Sequence, residues 1–303
     1  MADETAVATA ATNDANRRTR GEATLDRLVS ENRFTIAVVF PVVGAISLLA
    51  SAEGLLPPPL AFNPLLVIVG VLVMRLPLAA GLGPLLDRRA GVALLALTAY
   101  AYAIEAIGIA TGWPYGAFAY LVDLGPMVAG VPLGLPVFFL PLVVNSYLLV
   151  RLLLGHRAGH RILRLPATIL AVLAMDVVLD PGAVALGFWT YFDPGAFYGV
   201  PLSNYLGWVL SATVAVVVLD WGFRESALDR RLDSCEYLLD DLVSFVLLWG
   251  AINAVYGQWL PVLVALGFGV GLLATDRFDF AVFRRQATGQ RTPQESPSLD
   301  TKN

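Results

Sequence analysis

Apolar residues run in long blocks along this chain, separated by short polar or Gly/Pro-rich breaks. A bilayer core takes about 20 apolar residues of helix, and eight blocks approach that length. They predict helices over Phe34–Ser51, Leu60–Leu82, Gly91–Ile109, Leu133–Leu154, Pro166–Phe188, Leu202–Gly222, Leu239–Tyr256 and Trp259–Ala274, punctuated by Pro, Gly and charged residues. The last two are short and joined at Gly257-Gln258, so a shallow hairpin is their alternative form. The alternating pattern of membrane barrel strands is absent. The expected fold class is an all-α polytopic membrane protein of about eight transmembrane helices, occupying residues 34–275. The flanks, 1–33 and 276–303, are polar and are expected to be disordered tails. The first lacks the apolar stretch of a secretory signal.

Arginine placement orients these helices. Arg17, Arg18, Arg20, Arg27 and Arg33 precede the first span, and Arg88 and Arg89 lie between the second and third. Arg157, Arg161 and Arg164 follow the fourth, Arg224, Arg230 and Arg231 the sixth, and Arg277, Arg284, Arg285 and Arg291 the eighth. The other connections hold no Lys or Arg. Positive residues stay inside, so both termini are expected in the cytoplasm of a multi-pass cell-membrane protein, with an even number of spans. Arg151 lies at the end of the fourth span, and only Arg75 sits deeper within one, where it must snorkel or pair with an acid.

Two stretches repeat one another. Gly112-Trp-Pro-Tyr-Gly-Ala-Phe-Ala-Tyr120 leads to Gly130-Val-Pro-Leu133, and Trp189-Thr-Tyr-Phe-Asp-Pro-Gly-Ala-Phe-Tyr198 leads to Gly199-Val-Pro-Leu202. Each follows an apolar segment carrying an acid and precedes another apolar segment. The pattern predicts an internal parallel repeat, helices 3-4 and 5-6, with both aromatic loops on the outer face. An interfacial aromatic belt accounts for the rings alone, but not for the repeated Gly-Ala-Phe and Gly-Val-Pro-Leu.

Intramembrane acids are expensive and usually functional. Glu105 lies in the third span, a turn from Tyr102; Asp176 and Asp180, four apart, share one face of the fifth. Two close carboxyls in a low dielectric do not both ionise cheaply, so the pair is expected to keep a proton, as a general acid must. Asp180 precedes Pro181, where freed carbonyls call for water or polar partners. Asn145 and Asn204 are candidates to orient water or a carboxyl, with interhelical hydrogen bonding as the plain alternative. The plain alternative for the acids is that they pair with Arg75, tyrosines or backbone and lock the bundle.

Composition narrows the chemistry. With 57% hydrophobic and 15% charged residues, this is not an ordinary soluble domain. Cys235 is the only cysteine, which removes an intrachain disulfide. His156 and His160 have metal-compatible spacing but sit in an Arg-rich loop without a carboxylate, so no metal is expected. Asp123, Asp193, Asp220, Asp240 and Asp241 lie at loops or the membrane edge. Asp176-x-x-x-Asp180 has the spacing of a prenyltransferase Asp-rich motif, yet the second motif that a Mg²⁺-diphosphate site requires is missing. Phosphate loops, dinucleotide fingerprints and histidine boxes are absent too, so no cofactor is expected. Lys302 is the only lysine, and this Arg-rich, Lys-poor balance with a pI near 5.2 suits a halophilic or GC-rich source.

The run Gly112-Trp-Pro-Tyr-Gly…Leu124-Gly-Pro…Gly130-Val-Pro-Leu, with Gly187-Phe-Trp…Gly195-Ala-Phe-Tyr-Gly-Val-Pro-Leu-Ser-Asn-Tyr-Leu-Gly-Trp208, resembles the haloarchaeal carotenoid hydratase family. The likeness covers about Phe34 to Ala274. It implies addition of water to the terminal double bonds of a fifty-carbon carotenoid, bisanhydrobacterioruberin, to give bacterioruberin. It also implies carotenoid, membrane lipid and other carotenoid-biosynthesis enzymes as partners, and no nucleic acid. The likeness carries no catalytic residue assignment, so roles rest on the residues themselves. Acid protonation of a trisubstituted alkene leaves a tertiary cation for water to capture. Asp176 and Asp180 are the expected acid/base pair, with the proton donor in this second repeat, and Glu105 is the alternative acid or the group that orients water. Tyr102, Trp113, Tyr115, Asn145, Trp189, Tyr191 and Asn204 are the expected substrate-binding residues. A proton-coupled transporter of an apolar or amphipathic solute is the competing class, since it also uses repeats and buried acids.

Overall fold

The computed structural model describes residues 18–224, 227–275 and 277. All eight predicted apolar segments are helical in it. A helix over residues 18–31 (α1) comes first. Five π-helical residues, Thr35–Val39, then run into α2, Phe40–Ala52. The long helices α3, Pro64–Leu82, α4, Arg88–Thr111, α5, Leu135–Leu154, α6, Arg161–Leu186, and α7, Leu202–Gly222, follow. A short α8, Leu228–Ser234, precedes α9, Asp240–Val255, and α10, Trp259–Ala274. Local chemistry sets the ends: Asn63 Oδ1 accepts from the Leu65 and Leu66 amides to open α3, and Asp87 caps α4 through the Ala90 amide at 2.7 Å.

Among the described residues, six helical stretches are long and apolar enough to cross a membrane, the make-up of a polytopic membrane protein. Leu65, Leu170, Val217 and Leu263 face outward, as lipid-facing residues do. The two last helices have 16 residues each, about 24 Å of helix. Helix α5 packs on α6, α6 on α7, α4 on α7, and α9 on both α2 and α10.

The segment expected to stay disordered up to residue 33 departs from that reading over 18–31. Helix α1 buries Val29 completely and is tied down by charge. Arg18 donates to the Gly83 and Leu86 carbonyls at 3.2 and 3.0 Å. Asp26 accepts from Arg231 at 3.0 Å and from the Tyr237 hydroxyl. These partners lie far along the chain, so local polarity could not reveal them. The tail expectations for 1–17 and for 276–303, save Arg277, lie outside the described residues.

Arg75 pairs with an acid rather than snorkelling. Its guanidinium meets Asp241 at the start of α9 and donates to the Val137 carbonyl at 3.2 Å. Asn145 donates to the other oxygen of Asp241, which is fully buried. One carboxylate thus joins α3, α5 and α9. Asp220 plays a similar part among α5, α6 and α7, meeting Arg164, Arg161 at 2.9 Å and Tyr147 at 3.2 Å.

Removing one member of a buried pair strands the other charge, at a cost of about 3–5 kcal/mol. Asp241→Leu should therefore sharply lower the unfolding temperature of detergent-extracted protein, and Arg75→Met with Asp241→Leu should recover most of the loss. Equal instability of the single and double variants would count against a paired charge.

Candidate active site

The two repeats build one local device twice. Helix α4 carries Glu105, stops at Gly112 (φ 74°), and the chain returns as β1, Phe118–Tyr120. Tyr120 donates its hydroxyl to Glu105 Oε1. Helix α6 carries Asp176 and Asp180, stops at Gly187 (φ 75°), and the chain returns as β4, Trp189–Tyr191. Tyr191 donates its hydroxyl to Asp180 Oδ2 at 2.8 Å. Strands β1 and β4 then pair antiparallel, Phe118 opposite Tyr191 and Tyr120 opposite Trp189. This ribbon joins the two aromatic loops at one end of the bundle.

The Gly-Val-Pro-Leu elements also share a backbone. In the first, Met127–Val128 (β2) pairs with Val131–Pro132 (β3) around Ala129 and Gly130, at φ 51° and 78°. In the second, Phe197 bridges Val200 around Tyr198 and Gly199, at φ 50° and 82°. Two positive φ values in a two-residue loop suit the right-handed twist of a tight hairpin. Each turn delivers the chain into the next helix, α5 or α7.

Helix α7 supplies Asn204, whose Nδ2 donates to Asp176 Oδ2 at 2.9 Å and to Asp180 Oδ2 at 2.7 Å. The two carboxyls also lie within hydrogen-bonding reach of each other. A cavity of about 160 Å³ is lined by Glu105, Tyr120, Asp180, Tyr191 and Asn204 among mostly apolar neighbours; Asp176 does not line it and reaches it through Asn204. Phe139 and Trp208 form one wall, their rings stacked with centroids 5.7 Å apart. Burial first, and then the charge of Asp180, pushes the Tyr191 phenol up; burial and Glu105 do the same to Tyr120. Both hydroxyls therefore stay protonated as donors.

The carbonyls around Pro181, expected to call for water or polar partners, meet side chains from α9 and the turn after it. Asn253 of α9 donates to the Val178 carbonyl at 2.8 Å, and Gln258 donates to the Pro181 carbonyl at 3.2 Å. Trp249 of α9 reaches the cavity itself. Among the remaining candidates, Tyr115 and Trp189 line the cavity, while three others do not. Asn145 is turned toward α9 by Asp241. Tyr102 gives its hydroxyl to the Leu133 carbonyl at 2.5 Å. Trp113 is 58% exposed at the loop surface. Sequence reasoning passed over Phe139, Trp208 and Trp249, because an apolar ring on an apolar helix carries no signal of which way it faces.

A family model for "Carotenoid biosynthesis protein" matches residues 62–272, a stretch that holds every residue lining the cavity. The chain belongs to the carotenoid biosynthesis protein family. Within this family setting, the chain is 63% identical over 264 residues to the bisanhydrobacterioruberin hydratase of Haloarcula japonica, covering 87% of this chain and 90% of that protein. No solved structure matches the chain.

The cavity is closed on one side by Tyr115, whose hydroxyl lies 2.6 Å from Ser211 Oγ on α7. This contact needs Gly207, where an added Cβ would come within 2.5 Å of the Tyr115 ring and 3.1 Å of the Pro114 carbonyl carbon. Gly207→Leu should push the first aromatic loop off α7 and destabilise the protein by about 1–3 kcal/mol. Thermal unfolding in detergent, followed by Trp208 fluorescence, measures this. An unchanged transition and spectrum would mean that Tyr115 does not seal the site.

Proposed function

We propose that the protein is a carotenoid hydratase that adds water to the terminal double bonds of bisanhydrobacterioruberin, giving bacterioruberin. The observation that carries this reading is chemical: carboxyl groups from both repeats reach one small cavity whose other walls are apolar and aromatic. Alkene hydration needs that combination. One carboxyl protonates the less substituted carbon, aromatic faces and a negative oxygen stabilise the tertiary cation, and another carboxyl takes a proton from the captured water. The cavity has room for a carotenoid end rather than the whole polyene, whose body stays in the lipid. The identity with the Haloarcula japonica hydratase supports the same substrate.

The membrane arrangement that goes with this reading has eight spans, both termini in the cytoplasm and the two repeats parallel. The loops joining α4 to α5 and α6 to α7 hold no Lys or Arg, whereas arginines ring the opposite end. By the positive-inside rule the cavity opens on the outer side. Helices α9 and α10 are short for a span, and they support α6 through Asn253 and Gln258.

Expression in a carotenoid-producing host that lacks the hydratase tests the reading. Pigment analysis by chromatography and mass spectrometry should show a gain of one water at each end of bisanhydrobacterioruberin. Unchanged pigment, with the protein present in the membrane fraction, would reject it. Glu105→Gln and Asp180→Asn should each lower hydration by about 10²–10⁴-fold without changing membrane insertion. Full turnover by both would remove the carboxyls from the mechanism.

A further inference from the structure

The carboxyls are not supplied alike. Asp180 Oδ2 accepts from Tyr191 and from Asn204, and the Asp176 carboxyl lies within hydrogen-bonding reach. Glu105 accepts from Tyr120 alone, and its second oxygen has no protein partner among the described residues. A negative charge in a low-dielectric site is sustained by the donors aimed at it. Asp180 has the donors to remain a carboxylate. Asp176, fully buried with its Oδ1 unpartnered, has too few to be charged beside it. Two carboxylates sharing one amide nitrogen in an apolar site do not both ionise cheaply, so the proton of the pair belongs on Asp176, which has the fewer donors. Glu105 is left as the neutral acid.

Exposure agrees with this. Asp180 is 4% exposed and Asp176 not at all, whereas Glu105 is only partly buried. Glu105 and Asp180 line the cavity from different helices, so a terminal double bond held between them can offer its less substituted carbon to Glu105 and its tertiary carbon to the Asp180 side.

We propose that Glu105 is the proton donor, and that the Asp180 carboxylate, braced by Asp176, Asn204 and Tyr191, stabilises the cation and takes the proton from water. This rests on the hydratase reading and reverses the order of roles expected from the sequence. The alkene π pair takes the Glu105 proton and forms the new C–H bond. A water lone pair closes on the tertiary carbon to form C–O, and Asp180 accepts the proton that water releases. Glu105 has lost one proton and Asp180 has gained one, so the site resets by moving one proton between them, with no oxidant or reductant.

Deuterium exchange separates the two steps. Washed membranes holding the full-length chain are incubated with bisanhydrobacterioruberin in D₂O, and both hydrated product and recovered substrate are analysed by mass spectrometry. Asp180→Asn should lose at least about a hundredfold in hydration, yet still place deuterium in recovered substrate, since a cation denied water collapses by losing either hydrogen of its new CHD carbon, and loss of the original hydrogen leaves the deuterium behind. Glu105→Gln should lose hydration and labelling together. Tyr191→Phe, which keeps both carboxyls, should slow hydration about tenfold and raise label in substrate relative to product. Tyr120→Phe should leave that ratio unchanged. Labelling that survives in Glu105→Gln but not in Asp180→Asn would overturn the assignment. So would loss of labelling in both Asp180→Asn and Tyr191→Phe when each extracts as a monodisperse protein. Wild-type membranes that neither hydrate nor label would instead reject the hydratase reading.

Discussion

The constraint on which the rest depends is the cost of keeping carboxyl groups in an apolar end of a helical bundle. A buried acid needs donors or a proton, and the fold supplies both from segments that have few other duties. The tyrosine of each returning strand reaches the acid of the helix just before it. Asn204 spans two carboxyls with one amide nitrogen. The antiparallel ribbon of β1 and β4 fixes both tyrosines at once, because neither strand is long enough to hold a position alone. An acid on one helix is therefore tied to the loop of the other repeat, and the cavity exists only where the two repeats meet.

The opposite end of the bundle meets the same constraint with charge instead of protons. Asp220, Asp240 and Asp241 are buried, and each faces an arginine. These acids are neutralised by partners that cannot lose their charge, which makes them poor proton carriers and good fasteners. Glu105, Asp176 and Asp180 have no arginine among their hydrogen-bonding partners. The division is a physical sorting of the buried acids. Those beside guanidinium groups hold helices together, and those beside phenols and an amide keep a proton available.

Much of this was legible in the sequence, for identifiable reasons. Apolar blocks are a local property, so all eight helices were found with ends displaced by a few residues. The two matching turns were legible because tight turns restrict residue choice, and Gly130 and Gly199 take the same position in each. The acids stood out because a charge inside an apolar block is rare. What was not legible is direction. Asn145 and Asn204 both read as polar residues in helices, yet one faces Asp241 and the other the carboxyl pair. Only the packing of α9 and α6 decides this, and no local pattern encodes it. Tyr102 was chosen for its place one turn from Glu105, but Tyr120, fifteen residues on and carried back by β1, holds the acid. Helix α1 was missed for the same reason: its fixed points, Gly83, Leu86, Arg231 and Tyr237, belong to other parts of the chain.

Two similar loop units here present one cavity with two unlike carboxyls. Two copies of helix, glycine stop, returning tyrosine and turn would present identical acids, and identical acids at close range compete for the same proton. The second copy differs by an added carboxyl at Asp176, one helical turn before Asp180, and by Asn204 entering from the following helix. Those additions supply hydrogen-bond donors to one acid and not to the other, and thereby separate their protonation. Hydration of an alkene needs a proton given at one carbon and taken from water at the next. A symmetric pair would offer two acids or two bases, whereas the donors gathered around Asp180 make the two carboxyls of this cavity chemically unlike.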